Sequence, residues 1–191
     1  MDIRLSWDLF VLVFFIVIVA YSFIIGRDNT LKVILGTYVA ALAADATGNL
    51  FGSYFGGSGF LKEILKFAAL GNEDEAVIIL KVLVFVALVI LFAVRGAFAV
   101  QTGNGSGFGK IILSVLYAVM SAGLIISVIL VFVSGVSFVG GGSPETTGVA
   151  LWDIYNNSKI VKSIVANSYW WFAIPALAFL IQSFRANRGE E

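Results

Sequence analysis

Apolar residues run along this chain in long uncharged blocks broken by short polar stretches. The first block, Leu9 to Gly26, holds eighteen residues without a charge and follows Trp7 and Asp8. A helical bilayer crossing needs about twenty apolar residues, so this block predicts a first span over 9–26. Gly26, Arg27, Asp28, Asn29 and Thr30 then form a polar turn. Asp28, Asn29 or Thr30 is suited to accept the orphan amides that open the next helix, which predicts an antiparallel hairpin with a second span over 31–52. Beyond it, Phe60 to Leu70 (FLKEILKFAAL) sets an apolar face against Lys62, Glu63 and Lys66. It is too short and too charged to span, and reads as an amphipathic helix in the interface plane. The trio Glu73, Asp74 and Glu75 puts negative charge where a following helix dipole favours it, at the start of a third span over 76–95.

The fourth block is the longest, with thirty-four uncharged residues from Ile111 to Pro144. It predicts a long tilted span over 111–139. In the last quarter Leu151 to Lys162 (LWDIYNNSKIVK) is amphipathic, and Ser163 to Phe184 is uncharged for twenty-two residues. That final block, 163–184, either crosses or dips in and returns. Pro175 is expected to bend it, and Trp170 and Trp171 suit a headgroup boundary. The expected fold is all-α: one integral membrane domain, 1–191, a polytopic bundle of four to five transmembrane helices with one or two interfacial amphipathic helices.

Within the second span, small residues recur every fourth position at Gly36, Ala40, Ala44, Gly48, Gly52 and Gly56. Positions four apart stack on one side of a helix, and small side chains there let another backbone come close. Gly36, Ala40, Ala44 and Gly48 are therefore the expected helix-packing residues, on what reads as the central helix of the bundle. Past Gly52 the glycines read equally well as an exit loop. Ser114, Ala118 and Ala122, then Gly123 and Ser127, supply similar small faces on the fourth span, where each serine either lines a polar path or bonds back to its own backbone.

Composition sharpens the class. Sixty per cent of residues are hydrophobic and 13 % charged, both far from soluble proportions and in the same direction. The chain also has no Cys and no His, which excludes thiolate and imidazole metal sites, Ser-His or Cys-His catalysis and histidine-ligated haem. No cofactor is expected. Twelve basic residues balance twelve acidic ones, and without a basic run nucleic acid is not an expected partner. The stretch TGNGSGFG before Lys110 looks like a phosphate loop, but Asn104 stands where the Walker pattern needs its first Gly and Ile111 where it needs Ser or Thr. It reads as a connector. The start of the chain competes with a secretory signal peptide, yet it carries Asp2 and Asp8 against Arg4, and its apolar run exceeds the usual length.

Two charges fall inside predicted spans, Asp45 and Lys81. A lone charge in hydrocarbon costs about 2.5 to 3.5 kcal/mol on insertion scales, and intramembrane ionisable residues mark functional paths or pairs. Both residues sit a similar number of positions from the connector that their helices share, so Asp45 and Lys81 form a candidate intramembrane pair. The other reading has Lys81 snorkelling to the headgroups while Asp45 is protonated or bonded to Thr47 or Asn49.

The order of parts, with Asp8 before the first helix, Gly26-Arg27 at a tight turn, a small-residue helix, an interfacial piece, two more helices and an amphipathic NNSKIVKSIV, resembles the bacterial colicin V production protein family. The resemblance lies in layout. It implies a small inner-membrane protein linked to toxin export and envelope upkeep, with no catalytic residues to carry over. The expected function is thus a non-enzymatic scaffold or accessory subunit, partnered by the bilayer and by other membrane proteins or copies of itself. The alternative is a small channel or carrier subunit with Asp45 and Lys81 on its path. With four spans and a returning C-terminal segment, eight cationic residues face the N-terminal side and four the other, as the positive-inside rule favours; with five the count is six to six.

Overall fold

The uncharged blocks fold as helices in a computed structural model that describes residues 7–59, 63, 73–95, 107–139 and 158–187. The elements are α1 (Trp7–Ile25), α2 (Arg27–Phe55), α3 (Glu73–Arg95), α4 (Gly107–Val133), α5 (Lys159–Ala166) and α6 (Ser168–Asn187). α1 to α4 are each long and apolar enough to cross a membrane, and α5 with α6 forms a bent pair of the same character. The expected interfacial helix at Phe60 to Leu70 and the glycine connector before Lys110 lie largely outside the described residues.

The first turn differs from expectation. α2 begins at Arg27, and its N-cap Gly26 takes a left-handed φ of 79°, with no side chain capping the helix. Thr30 and Asn29 serve the other helix end instead: Thr30 Oγ1 donates to Ser22 O at 3.0 Å and Gly26 O at 2.9 Å, and Asn29 Nδ2 donates to Ile25 O at 2.9 Å. These bonds satisfy carbonyls that a helix C-terminus leaves without intrahelical partners. The chain therefore reverses in a single residue.

α2 and α3 make the closest helix pair, and α4 packs on α1, α2, α3, α5 and α6. The centre of the bundle is therefore α4 rather than α2: 78 % of its apolar window is buried, against 50 % for α2. Ala118, Ala122, Leu124 and Val128 are nearly or fully enclosed. α4 is also shorter than the charge-free run that contains it. Gly135 adopts φ 78°, Gly135 N–H donates to Phe132 O and Val136 N–H to Val131 O, a Schellman-type stop. The chain after Val133 folds back against the bundle, so the expected span over 111–139 ends six residues early.

The final segment breaks at Asn167 rather than at Pro175, with a bend of 51°. Pro175 sits inside α6, where it is buried. At the start of α5, Asp8 Oδ1 accepts from Ser158 Oγ and from Ile160 N, while Ser158 Oγ caps Val161 N at 3.0 Å. Further on, Tyr38 Oη donates to Phe172 O at 2.6 Å, and Ala178 packs on the cluster of Leu31, Ile34, Tyr117 and Met120. These contacts climb from the start of α1 to the α1–α2 turn, so the bent pair traverses the bundle. Trp171 belongs to this interior as well: it lies over the bare backbone of Gly123, where a β-carbon would collide with its indole.

Candidate functional site

The small-residue stripe places the polar site. Gly36, Ala40, Ala44 and Gly48 are all buried on α2. A β-carbon at Gly36 would come within 2.6 Å of Phe92, and one at Gly48 would strike the aliphatic stem of Lys81. A β-carbon at Gly52 would meet Val77 at 3.4 Å, an ordinary contact. The helix continues to Phe55, so Gly52 is helical and Gly56, Gly57 and Gly59 lie beyond it. The stripe is thus the surface on which α3 lies.

Lys81, whose stem rests on Gly48, extends its ammonium to Asp45 Oδ1 at 2.7 Å and to Asn49 Oδ1 at 2.7 Å. Asn49 Nδ2 donates to Ser137 Oγ at 2.9 Å, and Ser137 Oγ donates to Asp45 Oδ2 at 2.8 Å. The four side chains close a ring. Val139 N–H adds a backbone donor to Asp45 Oδ2 at 2.7 Å. Asp45 is wholly buried and Lys81 is 6 % exposed. Both carboxylate oxygens are engaged, and charge-assisted bonds of this length are the strong ones.

Counting along the helices explains the meeting. α2 runs ten residues past Asp45 and α3 begins eight before Lys81, so the two charges lie about 15 and 12 Å from their helix ends at 1.5 Å per residue. Both helices are longer than predicted, by similar amounts, so the depths still match. α4 ends at this same level, where Phe132 meets Phe85 edge-on at 6.0 Å. That termination frees the backbone of 134–139 to turn inward and supply Ser137 and Val139.

Sequence reasoning named Asp45 and Lys81 but missed Ser137 and Val139, and gave Asn49 only as an alternative partner for Asp45. Asn49 carried a signal, since it follows Asp45 by four and shares its helix face. The Ser134-Gly135 pair carried another, as a helix stop inside an uncharged run. Thr47 does not join the ring; its hydroxyl donates to Ala43 O at 2.7 Å. Ser134 bonds back to Val131 O at 2.8 Å, whereas the buried hydroxyls of Ser121 and Ser127 have no hydrogen-bond partner among the described residues. Among the described residues no three Asp, Glu, His or Cys side chains gather as a metal site.

Chemically the ring is a clasp. It ties α2, α3 and the segment after α4 through one carboxylate, with its donors and acceptors turned toward one another. The chain matches no protein-family model, no curated protein and no solved structure.

Proposed function

We propose that the chain is a non-enzymatic multi-pass protein of the cell membrane, acting as a scaffold or accessory subunit for other membrane proteins. Four helices of spanning length and apolarity support the membrane part. The observation that carries the scaffold part is the closed ring around Asp45. An intramembrane carboxylate on an ion or solute path must exchange partners with its cargo, whereas Asp45 is fully enclosed and holds Lys81, Ser137 and Val139 at once. Such a ring locks helices together. The layout shared with colicin V production proteins supports a narrower reading, a role in export or envelope upkeep at a bacterial inner membrane.

Flux through vesicles containing the purified full chain tests the scaffold against the channel or carrier. The scaffold reading expects no proton, sodium or potassium flux above that of empty vesicles. A flux that Asp45→Asn abolishes would overturn it in favour of the path reading.

A further inference from the structure

The helix before it does not fix the direction of α6. Between α5 and α6 the chain bends by 51° at Asn167, and each residue of such a break keeps two soft backbone dihedrals. Pro175 weakens α6 a second time, because it has no N–H to donate to the carbonyl of Trp171. Side chains therefore hold α6 on the bundle. The helix rests chiefly on α4, with Trp171 over Gly123 and Ala178 beside Leu31 and Tyr117. Phe172, between those two in sequence, packs into both the cluster of Phe85 and Phe132 and the cluster of Leu31 and Tyr117.

Phe172 is also where α6 meets the clasp. Ser137 Oγ and Val139 N–H, in the strap of 134–139 that follows α4, both donate to Asp45 Oδ2, and Phe138 stands between them in the chain. The Phe138 ring lies 5.3 Å from that of Phe172 and meets Phe132 edge-on at 5.6 Å. Phe172 also tilts against Tyr38 at 6.2 Å, and its carbonyl accepts the Tyr38 hydroxyl at 2.6 Å. With Phe85 against Phe132, the rings form one series from α3 through α4, the strap and α6 to α2. Rings at these separations and tilts attract one another. Two bonds to one carboxylate thus set the place of Phe138, and losing them frees the ring on which α6 leans.

We propose that the clasp around Asp45 is also the latch of α6: the bonds from Ser137 and Val139 hold Phe138 in place, and Phe138 holds Phe172. While the clasp is closed α6 is docked, and when it opens α6 swings about Asn167. Opening uncovers the Gly123 slot and the surface of Leu31 and Tyr117, so the clasp sets whether that face of the bundle is covered. Coupling of this kind needs an element with two arrangements, which here is α6, docked or swung out. The latch works within one chain and stands whether the protein is a scaffold or a path.

The chain has no Cys, so introduced cysteines can carry spin labels at chosen sites. Leu42→Cys on α2 with Leu177→Cys on α6 reads the seat of α6, and Leu42→Cys with Leu91→Cys reads the α2–α3 pair; all three leucines are exposed. Pulsed dipolar spectroscopy on the full chain in lipid vesicles gives the two distance distributions, both expected to be narrow in the parent. Phe138→Ala should broaden the α2–α6 distribution several-fold and leave the α2–α3 distribution unchanged. Ser137→Ala should broaden the same distribution to a lesser degree. Asp45→Ala with Lys81→Met removes the acceptor of the strap without stranding a buried ammonium, and should broaden it as much as Phe138→Ala does. Adding Phe138→Ala to that pair should then change nothing more, the non-additivity expected of one shared latch. A narrow α2–α6 distribution in Phe138→Ala would overturn the proposal, and so would broadening there that the clasp variants do not reproduce. Equal broadening of both label pairs would overturn it as well, since the whole bundle would then be loosened. If the Asp45→Ala, Lys81→Met chain does not fold, Ser137→Ala decides.

Discussion

The aliphatic stem of Lys81 occupies the space that a β-carbon on Gly48 would fill, and from there its ammonium reaches Asp45, three residues back on the same helix. Packing stripe and polar pair are therefore one device. A residue with any side chain at position 48 pushes the stem away and lengthens the Lys81–Asp45 contact, so steric fit and charge compensation fail together.

Gly48→Ala should consequently lower stability by about 1 to 3 kcal/mol, the range for overpacking a filled site. In a Lys81→Ala background, where the stem is gone, the same change should cost almost nothing. Unfolding in mixed micelles with increasing denaturing detergent gives the four values of this cycle. Additive losses would separate Gly48 from the clasp.

Asp45→Asn and Lys81→Met should each be strongly destabilising, by about 3 to 5 kcal/mol, because each leaves a buried charge without its partner. The double variant should be more stable than the sum of the two losses implies. Ser137→Ala should cost less, about 1 to 2 kcal/mol, since Asp45 Oδ2 retains the Val139 N–H. Equal losses for Ser137→Ala and Asp45→Asn would contradict the ranking.

The long apolar helices and the pair were legible for simple reasons. An uncharged run of about twenty residues has few alternatives to a helix, and two isolated charges at similar counts from one connector, Asp45 and Lys81, have every reason to meet. The rest of the ring was hidden because Ser137 and Val139 lie in the same uncharged run as α4, where hydropathy does not mark the stop at Gly135. The centre of the bundle was misplaced for a related reason. Small residues four apart on α2 signal close approach to one neighbour, here α3, but do not count neighbours, and α4 has more of them. Trp171, expected at a headgroup boundary, lies instead over Gly123, a slot that depends on a partner distant in sequence.

Bulk on the stripe should hurt more than bulk beside it. Ala44 is wholly buried, while Val39 and Leu50 are about half exposed at 47 % and 59 %. Ala44→Leu should thus lower the midpoint of thermal unfolding in detergent substantially, whereas Val39→Leu and Leu50→Phe should stay near the parent. Similar midpoints for all three would remove the stripe from the α2–α3 contact.

The last prediction concerns the sides on which the chain ends lie. Asp8 and Ser158 meet at the start of α1, Trp171 lies over Gly123 further along α4, and Ala178 packs beside Leu31 and Tyr117, close to the α1–α2 turn. Each contact is a step from one end of the bundle to the other, which predicts that α5 and α6 together form a fifth crossing that bends at Asn167. A segment that dipped in and returned would bring Ala178 back toward Asp8. With five crossings, Arg185 and Arg188 move to the side opposite the N-terminus and the cationic count becomes six to six. The positive-inside rule then favours neither orientation. Relative sidedness is still defined: in living cells, a reporter fused after Glu191 and a second placed before Met1 should read on opposite faces of the membrane. Matching signals from the two fusions would mean that α6 turns back before crossing, and that the contacts of Ala178 with the α1–α2 end do not hold in the bilayer.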